Sequence, residues 1–285
     1  MKSILDFDAI YYDMFLKIKN EGQWSSDKVR TKYADGTPAR RKQIFGYSFR
    51  FDNSTDVVPL VTSRQIPVKS AIAEMYWIWI MQSNKVQDLR DLGCKFWNEW
   101  EKEDGTIGSS YGMQIAKPTF GHKSQLHYVI HELKNNPDST RIITNLWDVS
   151  NLHNMALTPC VYETQWSVAD GKVVLEVGVR SNDFALGLPN NVFQYSILHR
   201  LVAKEVGLPC GDMIYRIHNL HYYDRHEKQL EKQFAQHRQL YSFLVPVTKV
   251  SIINTNSIFD FNPSESVLYR FSLNVLPKIN YEIAI

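Results

Sequence analysis

The stretch that decides the fold of this chain reads MALTPCVYETQW over residues 155–166 and RSNDFALGLPNN over residues 180–191. Runs of β-branched residues predict strands over 161–168 and 173–180, and ADGK between them is typical of a tight hairpin turn. Residues 192–206 then repeat apolar side chains with the period of an α-helix. A strand hairpin that leads into a long helix is therefore the predicted centre of the fold.

Outward from this centre, further elements are predicted on both sides. Helices are expected over 6–20, 69–82, 124–135 and 224–238, and strands over 142–147 and 214–223. Residues 21–55 are polar and rich in turn residues, and Asp35-Gly36-Thr37-Pro38 is a good turn signal. Long helices beside strands, without strict alternation, indicate an α+β fold. We expect a mixed sheet packed with long helices in a single domain over residues 1–285.

The composition narrows the class of protein. Lys and Arg number 32 against 30 Asp and Glu, and a net charge of +2 gives no support to nucleic-acid binding through bulk charge. Three scattered cysteines offer no disulfide framework, and the nine histidines show no metal-ligand spacing. The most apolar run, residues 71–81, is too short to span a bilayer. We therefore expect a cytoplasmic protein with no metal and no membrane partner.

Cys160 lies just ahead of a predicted strand, and two interpretations of it are open. A free cysteine is most often a buried structural thiol, and the residues alone favour that role. The alternative is a nucleophile, whose thiolate needs cationic neighbours such as Arg141 and Arg180 on the flanking strands. Arg180 and Ser181 could also grip a phosphate, or simply form a surface turn.

Two further pairs of residues could bind a nucleotide. Asn190 or Asn191 could cap the helix over 192–206, but an amide also offers the donor and acceptor that suit the edge of a uracil ring. Alternation along a strand sends His221 and Tyr223 to one face, where both could bond a sugar hydroxyl. An equally good interpretation is that His221 and Tyr223 have their hydrogen-bond partners within the protein, at the edge of the sheet.

Taken in order, these motifs resemble the thymidylate synthase family over most of the chain. The stretch MALTPCVYETQW, followed by RSND and LGLP, is highly specific for that family. Residues after His237 match weakly, although the terminal Ala284-Ile285 is similar to the family's hydrophobic end. Other matching segments are Arg30 in VRTKYADGTPA, PLVT at 59–62, Glu74 ahead of Tyr76-Trp77, WNEW at 97–100, GSSYG at 108–112 and the run from 133 to 226.

The resemblance implies a reaction and the residues that perform it. Cys160 corresponds to the nucleophile that adds to C6 of dUMP and makes C5 a carbon nucleophile. The implied co-substrate, 5,10-methylenetetrahydrofolate, donates its one-carbon unit to C5. Glu74 corresponds to a glutamate that organises water and relays protons, and Tyr111 to a tyrosine near proton abstraction from C5. Asn191 corresponds to the asparagine that reads uracil.

The resemblance also implies how the two substrates are held. The implied phosphate ligands come from both chains of a sheet-to-sheet homodimer: Arg30, Arg180 and Ser181 from one chain and Arg141 from its partner. His221 and Tyr223 correspond to residues that bind the 3′-hydroxyl of the deoxyribose. The implied folate-binding residues are Trp97, Trp100, Asp183, Leu186, Gly187 and Ala284.

Departures from the family pattern bear on the product. Asn190 replaces a phenylalanine that packs on the folate, and His218-Asn219 replace a Gly-Asp pair. Polar groups beside the cavity can hold an ordered water, whereas hydride transfer needs a dry site. The phage deoxycytidylate hydroxymethylases carry a similar asparagine at the position of Asn190, but an aspartate at that of Asn191. We therefore expect a dUMP hydroxymethylase that makes 5-hydroxymethyl-dUMP, in the host cytoplasm if the chain is phage-encoded.

Three alternatives stand beside this expectation. The tryptophans Trp97 and Trp100 and the Ala284-Ile285 end favour an ordinary thymidylate synthase, which makes dTMP and dihydrofolate. A dCMP hydroxymethylase is less favoured, since Asn191 is an amide. A catalytically inactive binding or regulatory homologue is the third. Thr140 stands where the family usually has a second arginine, which puts one phosphate contact in question.

Overall fold

A six-stranded mixed sheet is the framework of the protein. The computed structural model describes residues 7–241, 249–270 and 275–285. The strands of this sheet are β1 (Gln23–Trp24), β2 (Arg41–Asp52), β3 (Ile143–Asn145), β4 (Val161–Ala169), β5 (Lys172–Asp183) and β6 (Cys210–Tyr223). Their spatial order is β1-β2-β6-β5-β4-β3, and only β5 and β6 are parallel. The predicted α+β class with a mixed sheet is confirmed.

Helices cover one face of this sheet. The α-helices of the described residues are α1 (Phe7–Glu21), α2 (Val68–Trp79), α3 (Val86–Asp91), α4 (Gly112–Ile115), α5 (Gln125–Asn135), α6 (Gly187–Val206) and α7 (Glu227–Tyr241). Helix α6 makes the crossover that parallel β5 and β6 require, and it lies between the sheet and α2. It ends at Gly207, whose φ of 75° is the left-handed conformation that glycine adopts freely.

The hairpin between β4 and β5 forms as predicted. Asp170 and Gly171 both have positive φ, 50° and 69°, which is the geometry of a type I′ turn. This turn matches the right-handed twist of the strands and sets their register, with Ala169 opposite Lys172. The loop that carries Cys160 and the strand that carries Arg180 are therefore brought side by side.

No strand was predicted within residues 21–55, but the structure has a long one there. Strand β2 occupies 12 of them and pairs with β6 from Arg41 opposite Tyr223 to Asp52 opposite Asp212. The strand escaped detection because only Ile44 and Phe51 of its side chains are buried. A strand with a mostly exposed face lacks the apolar alternation on which strand prediction depends. Two shorter strands, β7 (Lys249–Ile252) and β8 (Val267–Arg270), form a separate antiparallel pair.

The two faces of the large sheet differ in exposure. Trp166, Val177 and Tyr215 are fully buried beneath the helices. On the opposite face Phe45 is 59% exposed and His218 is exposed as well. Among the described residues, no helix has the length and apolar character needed to cross a bilayer.

Candidate active site

A cavity of about 1270 Å³ opens where β5 and β6 end and β4 begins. Most of the predicted site residues line it, although they come from distant parts of the chain. They are Arg30, Glu74, Trp97, Trp100, Tyr111, Cys160, Arg180, Ser181, Asp183, Leu186, Gly187, Asn190, Asn191, Tyr223 and Ala284. Four others, Arg141, His218, Asn219 and His221, are not part of its lining.

Cys160 and Tyr111 are held together at the start of β4. The backbone N–H of Cys160 donates to the Tyr111 hydroxyl oxygen at 2.9 Å. Tyr111 has a φ of 42°, a left-handed conformation that costs a non-glycine residue about 1–3 kcal/mol. The surrounding structure stabilises this strained conformation, and the Tyr111 hydroxyl is thereby fixed beside the cysteine.

Arg180 connects the cysteine loop to β5. Its Nε donates to the Pro159 carbonyl at 2.7 Å, and its Nη2 donates to both oxygens of Thr158 at 2.8 Å. Burial raises the pKa of the Cys160 thiol, while the charge of Arg180, a hydrogen bond with Tyr111 and the charge of Arg30 act against that rise. The arginines thus favour the thiolate, but the effect of burial on the pKa is larger.

A buried hydrogen-bond network joins Glu74 to Asn191. The Glu74 carboxylate accepts from Trp97 Nε1 at 2.5 Å and from Gln194 Nε2. The other end of the same amide, Gln194 Oε1, accepts from Asn191 Nδ2 at 3.3 Å. Burial raises the pKa of Glu74, and the two donors oppose that rise. The network therefore links a carboxyl group that can exchange protons to the amide expected to read the base.

Gln194 is a site residue that sequence reasoning missed. It is 4% exposed, lines the cavity and bonds to both Glu74 and Asn191. Its signal was a polar side chain three residues after Asn191 in a helix whose neighbours are apolar. A buried glutamine needs partners for its amide, and only the fold brings Glu74 within reach.

The turn between β5 and α6 presents acceptor atoms to the cavity. Asp183 Oδ1 accepts from the N–H groups of Ala185 and Leu186 at 2.8 and 3.3 Å, while no hydrogen bond within the described residues uses its Oδ2. Asn190 Nδ2 donates to the Leu186 carbonyl at 2.8 Å, and its Oδ1 is buried without a partner in the same part of the chain. Both side chains therefore keep an acceptor available for a ligand.

The C-terminal residues close one side of the cavity. Ile285 and Lys32 exchange two backbone hydrogen bonds of 2.7 and 2.8 Å. The Glu282 carbonyl lies 2.7 Å from a ring nitrogen of His226, and the Tyr281 hydroxyl donates to Gln233 Oε1 at 2.5 Å. The end of the chain is thus fixed over the site by several bonds, with Ala284 in the cavity wall.

His221 and Asn219 lie behind the cavity wall. His221 is 2% exposed, and its Nδ1 is 2.8 Å from Asn219 Oδ1, while Asn219 Nδ2 donates to Gln43. The pKa of His221 is lowered to about 3, mainly by burial and further by the charge of Arg41. The imidazole is therefore neutral. Its ring lies 5.3 Å from that of Tyr223, which does line the cavity.

The positions of two proposed product-switch residues correct the sequence expectation. His218 is exposed on the outer face of the sheet, with its ring 5.6 Å from that of Phe45. Asn219 is engaged with Gln43 and His221 and does not line the cavity. Alternation along β6 and the cover of its neighbours keep both side chains out of the cavity. Of the three residues expected to make it more polar, only Asn190 is there.

Arg141 is exposed at the start of β3 and does not reach the cavity of its own chain. The Tyr128 hydroxyl donates to its carbonyl at 2.9 Å, which fixes the backbone from which the side chain extends. A ligand role for Arg141 therefore requires a second chain.

The expectation that histidines do not cluster needs one correction. His122, His131 and Glu132 place potential metal-ligand atoms within 4.8 Å of one another. The fold joins His122, in a turn, to helix α5, a proximity that spacing along the chain does not reveal. None of the three lines the cavity.

Comparisons with known proteins agree with this geometry. The family model described as thymidylate synthase matches residues 9–285. A thymidylate synthase of Fusobacterium nucleatum subsp. nucleatum is 53% identical over 279 residues, with 98% of each chain covered. One from Bacillus phage phi3T is 42% identical over 282 residues, covering 97% of this chain and 95% of that protein. The solved thermostable thymidylate synthase A from Bacillus subtilis is similar with a TM-score of 0.86 at 39% identity, covering 98% of this chain and 99% of that one. The chain belongs to the thymidylate synthase family, one-carbon transferases whose co-substrate is 5,10-methylenetetrahydrofolate.

Proposed function

We propose that the protein is a thymidylate synthase that converts dUMP to dTMP and releases dihydrofolate. The observation that carries this proposal is what lines the cavity where the folate would bind. Trp97 and Trp100 form an aromatic wall, and the segment ending at Ile285 covers one side. Transfer of a hydride competes with attack by water, so aromatic rings and a covering segment that exclude water from the folate favour the methyl product. The names of the relatives support the same product.

The nucleotide is held by groups at the ends of the strands. Arg30, Arg180 and Ser181 lie together in the cavity and offer guanidinium and hydroxyl donors to a phosphate. Asn191 offers an amide to the uracil edge, and Tyr223 offers a hydroxyl to the sugar. A dianionic phosphate also brings negative charge that these arginines compensate.

The reaction begins at Cys160. Its thiolate forms a bond to C6 of dUMP, and the electron pair of the C5–C6 double bond becomes available at C5. The charges of Arg180 and Arg30 favour this thiolate against the effect of burial. Glu74, held by Trp97 and Gln194, is placed to relay protons through ordered water, and the Tyr111 hydroxyl lies beside Cys160.

The remaining space suits a reduced folate. The ring centroids of Trp97 and Trp100 are 5.7 Å apart, and both rings offer surfaces for stacking. Asp183 Oδ2, which accepts no hydrogen bond from the described residues, can accept from an N–H of a pterin. When bound, the folate supplies the one-carbon unit and the hydride. The chain's own residues orient the two ring systems and exclude water.

One observation favours the hydroxymethyl product instead. Asn190 lines the cavity with a buried Oδ1 that has no partner in the described chain, and an ordered water could bond there. Since His218 and Asn219 lie outside the cavity lining, Asn190 is the only one of the three departures from the family pattern that could hold such a water. We therefore favour dTMP as the product over 5-hydroxymethyl-dUMP.

The test is to identify both products of one reaction. The protein is incubated with dUMP and methylenetetrahydrofolate, and the nucleotide is analysed by mass spectrometry while dihydrofolate is followed by absorbance. We expect dTMP and dihydrofolate in equal amounts, and neither product with the C160S variant. A hydroxymethyl adduct with recovered tetrahydrofolate would overturn the proposed product. If dUMP is untouched, a parallel reaction with dCMP shows whether the base preference is wrong.

We further propose that the functional unit is a homodimer joined through the outer face of the sheet. That face exposes apolar side chains, with Phe45 at 59% and Ile143 at 39% exposure. Arg141 lies two residues before Ile143, outside its own cavity, so this pairing would carry it toward the site of the partner. Analytical ultracentrifugation of the wild-type protein tests it, and a monomer at assay concentrations would contradict it.

A further inference from the structure

Arg41 lies in the cavity wall at the start of β2. It is directly opposite Tyr223 in the antiparallel register of β2 and β6. Side chains of residues paired in this way project from the same face of a sheet. Since Tyr223 also lines the cavity, the pairing accounts for the presence of the Arg41 side chain there.

The guanidinium of Arg41 has no partner within the described residues. Its Nε is fully buried and makes no hydrogen bond, and no carboxylate in the described chain forms an ion pair with it. The adjacent Arg40 is the opposite case, because it lies 3.5 Å from Asp27 and 3.7 Å from Asp224. Burial of part of an arginine without a counter-ion is unfavourable. A ligand that supplies the missing acceptor would relieve that cost.

The surroundings indicate which kind of ligand this is. Four arginines line the same cavity, and each carries a permanent positive charge. Arg64 among them donates to the Ala185 carbonyl, which leaves Arg30, Arg41 and Arg180 as the three to consider for an anion. The charge of Arg41 also acts on Tyr223 and His221: it opposes the rise that burial causes in the pKa of Tyr223, and it adds to the fall that burial causes in the pKa of His221. Like charges held together in a partly dry site favour an anion with several acceptor oxygens, and guanidinium groups bind phosphate through two parallel hydrogen bonds.

We infer that Arg41 is a ligand for the 5′-phosphate of the nucleotide, supplied by the same chain that supplies Cys160. The inference rests on the proposed function for the identity of the nucleotide, and it adds a residue that the family motifs do not assign. The family usually has a second arginine at the position of Thr140, and Arg41 provides the positive charge that this threonine lacks. The part of the cavity that binds the phosphate then has three arginines of one chain, Arg30, Arg41 and Arg180. Arg141 of a partner chain would be a fourth.

The experiment compares binding of dUMP with binding of deoxyuridine, which lacks the phosphate. Calorimetry measures dUMP directly, and competition against dUMP measures deoxyuridine, at one fixed ionic strength. We expect R41M to weaken dUMP binding roughly 10- to 100-fold and to leave deoxyuridine unchanged. The matched control is R40M, which loses the same charge one residue away and should change dUMP binding by less than about threefold.

Two results would overturn the inference. R41M could bind dUMP as tightly as the wild type, or it could weaken dUMP and deoxyuridine equally, which would indicate a role in packing or in sugar binding. R41K is the second variant and tests the inference if R41M does not fold. It keeps the charge but loses the planar pair of donors, so it should bind dUMP more weakly than wild type and bind deoxyuridine equally well, and an unchanged dUMP affinity would count against the inference.

The design separates this inference from the proposed function. If the wild-type protein binds dUMP but makes a product other than dTMP, the proposed function fails and the Arg41 comparison still stands. If the wild type does not bind dUMP at all, the probe becomes inorganic phosphate. R41M should then weaken phosphate binding relative to R40M, and equal affinities for phosphate would refute the role of Arg41.

Discussion

We call the part of the cavity around Glu74 and Cys160 the catalytic end, and the part around Arg30, Arg41 and Arg180 the anion end. The two ends differ in whether their polar groups have hydrogen-bond partners within the protein. At the catalytic end, the carboxylate of Glu74 accepts from both Trp97 and Gln194. At the anion end, Arg41 has a buried Nε with no partner in the described chain, and Arg30 is exposed with no ion pair there. Glu74 thus has hydrogen-bond partners within the chain, whereas the Nε of Arg41 is a donor that a ligand could use.

This difference follows from what each end has to do. Groups that react must be oriented before the substrate arrives, because reorganisation during the reaction would raise the barrier. Groups that bind an anion gain most when their donors are not already used by the protein. Glu74 accordingly has its partners within the chain, while Arg30 and Arg41 make no side-chain hydrogen bond within the described residues. Arg180 is the exception among the phosphate-binding groups, because its Nε and Nη2 also donate to Pro159 and Thr158.

Removal of the nucleophile should have the largest effect. C160S should lower kcat by at least on the order of 10³-fold, because a neutral hydroxyl replaces the thiolate. Binding of dUMP, measured by calorimetry, should stay close to wild type, since the anion end is unchanged. C210S is the control, because Cys210 lies outside the cavity, and it should retain wild-type turnover. Appreciable turnover by C160S would show that Cys160 is not the nucleophile.

The second prediction tests whether the anion end is shared between chains. R141A alone should lose roughly 10- to 100-fold in kcat/KM for dUMP, because one phosphate ligand is missing. Unfolding and refolding it together with inactive C160S should restore about a quarter of wild-type activity, since half of the dimers are mixed and each has one intact site. Refolding each variant separately is the control. No recovery in the mixture would place Arg141 outside the site of the partner.

The third prediction concerns the internal bonds of the catalytic end. Q194M removes a donor that holds the pKa of Glu74 down against burial, so that pKa should rise further. The limb of the pH profile of kcat that reports Glu74 should move to higher pH, with kcat/KM lower by roughly 10- to 100-fold. Q114M alters an equally buried glutamine outside the cavity and should keep the wild-type profile. A loss of activity without a shifted limb would mean that Gln194 only supports the fold.

The smallest effect is expected at Asn190. N190L removes Asn190 Oδ1, a buried acceptor in the cavity wall that has no partner among the described residues. We expect dTMP to remain the product, with kcat changed by less than about fivefold. Mass spectrometry of the nucleotide checks this. If wild type makes 5-hydroxymethyl-dUMP and N190L makes dTMP, then Asn190 holds the attacking water, and the proposed product is wrong.

Much of the fold could be predicted because its signals are local. The turn at Asp170-Gly171 depends on two residues that tolerate positive φ, and α6 shows its period within its own sequence. Strand β2 was missed because most of its side chains are exposed, so it shows little apolar alternation. Most of the residues that the motif resemblance identified do line the cavity. The resemblance could not place His218, whose side chain lies on the outer face.

The sequence by itself determined the family, the local elements and most of the side chains that carry the chemistry. Only the tertiary structure decided which polar groups are satisfied within the protein. Glu74 and Gln194 are 120 residues apart and form one network, whereas Arg41 remains without a partner among the described residues. Whether a hydrogen bond forms depends on distances that chain folding alone fixes, so residue type cannot reveal it. This difference in hydrogen bonding distinguishes Glu74, which is held in place for the reaction, from Arg41, which has a donor available for binding.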